Sequence, residues 1–138
     1  MTTRTTKRPW TSGAAGALLA LLLALPAVAD AADRPVAGRY LRAAGQHLQL
    51  QLTIGSPAPA SIIVVQTLPP GTAIVQAQPA AQRIDGRRGE VKWLLKGESG
   101  AMVLDLQLAQ PVRAGEVRGQ IRYKHPATGA TITDNIAP

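Results

Sequence analysis

Between His47 and Ile54 apolar and polar residues alternate at every step, so Leu48, Leu50, Leu52 and Ile54 share one face of an extended strand. Gly55-Ser56-Pro57-Ala58-Pro59 ends that segment, because proline lacks the amide donor a ladder needs. Ser61 to Thr67 follows as the β-branched run Ile62-Ile63-Val64-Val65, without a polar residue until Gln66, and predicts a strand covered on both sides. Leu68-Pro69-Pro70-Gly71 breaks it. A strand resumes from Thr72 to Gln78, and a weaker one is expected around Ala81 to Ile84, before the turn Asp85 to Gly89.

The C-terminal half reads as a meander. Val91, Trp93 and Leu95 line one face of its first strand, and Met102, Leu104, Leu106 and Leu108 line one face of its second. Its third puts Val117, Gly119, Ile121 and Tyr123 inward and Glu116, Arg118, Gln120, Arg122 and Lys124 outward, and a final strand is expected at Ala130 to Thr133. Seven to eight short strands separated by Gly and Pro turns, with no helical period, predict an all-β antiparallel β-sandwich over residues 46–138. A closed barrel is the alternative. Residues 30–45 carry no sustained period and are expected to be a loose lead-in, with at most one short strand at Arg39 to Arg42.

The first 29 residues have a different layout: Arg4, Lys7 and Arg8, then the apolar run Ala14 to Leu25, then Pro26-Ala27-Val28-Ala29. That is the order of a cleaved secretory signal peptide, with the cut expected before Asp30. An uncleaved anchor is the alternative reading, but the run falls short of the roughly 20 apolar residues that span hydrocarbon and has Pro26 at its end. The product is therefore expected to be exported, periplasmic or extracellular at the cell surface, with no stable membrane span.

Removing the leader changes the charge. Three of the fifteen basic residues precede the cut and all eight acidic residues follow it, leaving twelve against eight, or +4. That is modest, and the basic residues are scattered without stacking aromatics, so nucleic acid is not the expected partner. Cysteine is absent, which excludes disulfides and thiolate metal sites. Phe is absent as well, so aliphatic side chains around Trp93 must fill the core.

With the strands in place, the stretch from Gln49 to Asn135 resembles the conserved-repeat "domain of unknown function eleven" family of bacterial and archaeal surface domains. The resemblance lies in the order of features: a leading alternating strand, a strand ending in Leu68-Pro69-Pro70-Gly71 and continuing Thr72-Ala73-Ile74-Val75, a Gly-bearing turn, the Trp93-centred strand Val91 to Leu95, the turn Gly97 to Gly100, and Asn135 near the end. It implies an immunoglobulin-like, non-catalytic domain, usually found in tandem arrays. This chain holds one copy.

Candidate chemistry is sparse. His47 lies on the polar face of an alternating strand and His125 in a turn before Pro126, and neither has a partner at ligand spacing. The carboxylates are single, with Asp105 expected to oppose Arg118 or Arg122 of the next strand. Neither an enzyme activity nor a cofactor is expected. Two surface features remain. Arg118, Arg122 and Lys124, extended by Lys92 and Lys96, form a cationic stripe suited to an anionic partner. In the run Ile62 to Val65, one alternate set must face away from the core, either Ile62 and Val64 or Ile63 and Val65, and with Leu94 and Val103 it offers apolar surface to a partner unless residues 30–45 cover it. The candidate partner-binding residues are Ile62, Val64, Leu94, Arg118, Arg122 and Lys124. The expected function is a non-catalytic interaction module binding another envelope or appendage protein, and the alternative is a small-ligand or glycan-binding protein or weak β-sandwich enzyme.

Overall fold

A computed structural model describes residues 34–138; the expected signal peptide at residues 1–29 and residues 30–33 of the expected lead-in lie outside the described residues. The chain forms an all-β sandwich of two antiparallel sheets. One has four strands in the order β1 (Val36–Arg42), β2 (Gly45–Ile54), β7 (Gly100–Val112) and β4 (Ile74–Gln78). The other has five, ordered β5 (Arg83–Asp85), β6 (Glu90–Lys96), β3 (Ser61–Thr67), β8 (Arg118–Lys124) and β9 (Thr131–Ile136). The pairs β1–β2, β5–β6 and β8–β9 are neighbours both in sequence and in a sheet. Every other connection crosses between layers, so the C-terminal half is not a meander. β7 leaves β6 for the far sheet, and β8 returns to pair with β3. Asp105 on β7 therefore does not oppose Arg118 or Arg122 on β8. Its neighbours in the register are Gln49 and Gln78, and its Oδ1 accepts from Gln49 Nε2 at 2.8 Å.

The alternating positions meet between the layers. Leu48, Leu50, Leu52 and Ile54 from β2 and Leu104, Leu106 and Leu108 from β7 face Ile62 and Val64 from β3, Val91, Trp93 and Leu95 from β6, and Ile121 and Tyr123 from β8, all buried. Trp93 is the largest of the fully buried side chains. Burial leaves its indole N–H in need of an acceptor, which the Pro79 carbonyl supplies at 2.8 Å.

Two further expectations are overturned. The expected loose lead-in is an integral edge strand from residue 36 onward: β1 pairs with β2 from Val36↔Ile54 to Arg42↔Gln49, and Val36 is buried. Its small and polar residues hid the period, because Gly38 sits where a Cβ would lie 2.6 Å from Ile136 Cδ1 and 2.7 Å from Ile121 Cδ1. β3 is covered on one face only. Ile62, Val64 and the polar Gln66 point inward, and Ile63 and Val65 point outward, half-buried. Gln66 tolerates the core because its Nε2 donates to the Tyr40 hydroxyl, 3.4 Å away on β1.

The turns hold the sandwich ends together. Gly71, at φ +83°, lets the Leu68 to Gly71 turn fold back onto the next one, where the Leu68 amide donates to the Gly89 carbonyl at 2.6 Å and the Gly71 amide to Gly86 at 2.9 Å. Gly97 packs so closely on Pro59 that a Cβ would overlap the proline carbonyl oxygen.

Candidate functional site

Ile62 and Val64, expected to be partner-binding, have 0% exposure and belong to the core. The register decides this: Val64 lies opposite the inward Trp93 on one side and the inward Ile121 on the other. The outward set is Ile63 and Val65. Leu94, Arg118, Arg122 and Lys124 do lie on the surface, and all four occupy the same outer face of the five-stranded sheet as Ile63 and Val65.

Ladder pairing lays that face out in rows. Leu94, Ile63, Arg122 and Thr133 run side by side across β6, β3, β8 and β9. The neighbouring row is Arg83, Lys92, Val65, Gln120 and Asn135, in which Gln120 Nε2 donates to Asn135 Oδ1 at 3.3 Å. Lys96 lies opposite Ser61, Lys124 opposite Thr131, and Thr67 separates Glu90 from Arg118. Six cations thus share the face with two carboxylates, Glu90 and Asp85, and the aliphatic Leu94, Ile63 and Val65 sit among them.

Arg83 and Lys92 lie directly opposite each other across β5 and β6. Like charges in that position are unfavourable. The Asp85 carboxylate makes its contacts in its own turn, where its Oδ1 accepts from the Arg87 and Arg88 amides, both at 3.2 Å, and its Oδ2 lies 4.0 Å from Arg88.

The opposite face of the sandwich has another character. Arg39 Nε donates to Gln51 Oε1 at 2.9 Å and Gln49 donates to Asp105, so its charges are Arg39 and Arg42 against Asp105 in a glutamine-rich surface. The basic excess is concentrated on one of the two faces.

A shallow cavity of about 230 Å³ opens on the cationic face, lined by Ala60, Ser61 and Ile63 together with Arg122, Lys124 and Thr131. A larger cleft of about 530 Å³ lies at the seam between the edge strands β1 and β9, lined by Val36, Gly38, Ile121 and Ile136, with Arg34 Nη1 3.7 Å from Asp134 Oδ1 at its mouth.

His47 sits on the outer face of β2, exposed. His125 holds a turn in shape, since its Nδ1 accepts from the Ala127 amide at 3.1 Å and the Thr128 amide at 3.3 Å and so closes the connection between β8 and β9. Among the described residues no group of three His, Asp or Glu side chains is placed to hold a metal ion, and no helix is long and apolar enough to cross a membrane.

Sequence reasoning found the cations of β6 and β8, missed Arg83, and of the two alternate sets in β3 chose Ile62 and Val64 where Ile63 and Val65 face outward; Val103, grouped with this surface, lies opposite Gln51 on the outer face of the other sheet. Strand parity around Trp93 could have found Ile63 and Val65, since Trp93 fixes the inward set of β6 and pairing transmits it to β3. Compared with protein-family models and with curated proteins, the chain matches none.

Proposed function

We propose that this protein is an exported, non-catalytic interaction module of the cell envelope, which docks another envelope or appendage protein on the outer face of its five-stranded sheet. The observation that carries the reading is the one-sided charge: six cations surround an aliphatic centre on one face, while the other is nearly neutral. A depleted-charge centre with a polar rim is the usual anatomy of a protein interface. The order of motifs from Gln49 to Asn135, resembling non-catalytic surface domains, points the same way.

The face measures about 20 Å on a side, from strand spacing near 4.8 Å and a rise near 3.3 Å per residue. That is about half the roughly 800 Å² per partner of a standard interface. Docking by it alone is weak and depends on salt, because exposed charges are screened over about 8 Å at physiological ionic strength. The test is co-purification from envelope extract by the protein and by two variants, Arg122→Glu with Lys124→Glu on this face and Arg39→Glu on the other. Capture lost with the first and kept with the second supports the reading. Equal capture by both, or capture indifferent to salt, refutes it.

A further inference from the structure

We propose that the cavity beside Ile63 receives one bulky apolar side chain from an acidic segment of a partner protein, with Arg122 and Lys124 pairing the carboxylates that flank it. The inference rests on the reading of this face as the docking surface. Three observations fix the occupant.

The cavity's lining surface is mostly apolar, with Ala60 and the half-buried Ile63 beside Ser61 and Thr131, so it favours an aliphatic or aromatic group over a sugar or a lone phosphate. Its volume of about 230 Å³ lies below the roughly 300–1,000 Å³ of small-ligand pockets and suits a single side chain. Its lip is cationic: Arg122 stands next to Ile63 in the ladder, Lys124 lies one alternate position further along β8, and no carboxylate lines the cavity. Anionic groups are thus drawn to the rim of a site whose centre is apolar. A second copy of this chain presenting the same face would be repelled by it. A lipid surface is the less suited occupant, because membrane attachment calls for apolar groups that protrude into the bilayer, whereas Ile63 and Val65 are recessed and Leu94 alone stands out.

The probe is a fluorescent acidic pentapeptide, Asp-Glu-Trp-Glu-Asp, titrated with the purified protein and read by anisotropy, beside the same peptide with Ala in place of Trp. The Trp peptide should bind at least about tenfold more tightly than the Ala peptide, the effect of withdrawing one large side chain from water. Thr131→Trp, at an exposed position of the edge strand, should fill the mouth of the cavity and abolish that preference in a protein that melts as before. Arg122→Gln with Lys124→Gln should weaken both peptides and flatten their salt dependence.

Equal binding of the two peptides overturns the inference, as does a Trp preference that survives Thr131→Trp. Binding to anionic phospholipid vesicles at concentrations where the peptide does not bind overturns it in favour of a membrane occupant. Partner capture that remains sensitive to Arg122→Glu while the peptide preference is absent removes the cavity and leaves the docking face standing; loss of both removes the two together.

Discussion

Trp93 supplies the most demanding test of the fold. It has 0% exposure, it is the largest fully buried side chain, and its indole N–H donates to the Pro79 carbonyl in the segment between β4 and β5. A buried tryptophan removes about 150–250 Å² from water, which at about 25 cal/mol per Å² corresponds to about 4–6 kcal/mol as an upper bound. Truncation to Ala loses most of that and leaves a cavity that a rigid sandwich closes only in part, so Trp93→Ala should destabilise by about 3–5 kcal/mol. Native domains hold only about 5–15 kcal/mol in total. The variant should therefore be barely folded, with its urea midpoint lowered by about 1 M or more.

Trp93→Phe divides the effect. It keeps much of the apolar volume but withdraws the donor from Pro79, and should fall between wild type and Ala, with at least about 1 kcal/mol attributable to the orphaned carbonyl. The assay is equilibrium urea unfolding followed by far-ultraviolet circular dichroism. Unchanged midpoints for Trp93→Ala would show that the residue does not organise the core and that the packing argument is mistaken.

Val64→Thr places a hydroxyl among Trp93, Ile121 and the leucines of the facing sheet, and should destabilise by about 1–3 kcal/mol, whereas Val65→Thr on the outer face should change the melting temperature little. Gly97→Ala forces a methyl onto the Pro59 carbonyl and should lower stability by about 1–3 kcal/mol, while Gly115→Ala, with nothing within 4 Å of the added carbon, serves as the neutral control in the same thermal melt. Burial raises the Tyr40 phenol above its ordinary value of 10.0, partly offset by the hydrogen bond from Gln66. Its contribution to stability is thus complete below pH 10.0 and is lost as pH rises through the raised folded value, so Tyr40→Phe should show a shallower fall in melting temperature over that alkaline window. Reversing Arg122 and Lys124 should alter the urea midpoint by no more than about 0.5 kcal/mol equivalent while removing partner capture, and a large loss of stability would place those side chains in the fold and not at an interface.

The strands β2, β6, β7 and β8 were legible because their apolar residues recur at a spacing of two, a period with a single structural solution, and β3 was legible as a short β-branched run. β1 was not legible. Gly38 replaces an apolar side chain where Ile136 and Ile121 already fill the space, and Tyr40 reads as polar although its ring packs against the core. The candidate site was half legible for a similar reason: a charged residue in a strand must face water, so the cations of β6 and β8 declared themselves. The run Ile62 to Val65 is apolar on both sides, and nothing local distinguishes its faces.

Periodicity is a property of each segment alone, and it settled on its own that this chain pairs extended strands around aliphatic side chains and Trp93. Which strands lie side by side is a matter of long-range pairing, and the sandwich chose by sending β7 to one layer and β6, β8 and β9 to the other. That choice parted Asp105 from the arginines of β8, buried Ile62 and Val64, and gathered onto one surface cations that lie as far apart in the chain as Arg83 and Lys124. The reason is geometric: side chains in a strand alternate by fixed parity, but the partner across the ladder decides which parity meets the core and which charges share a face.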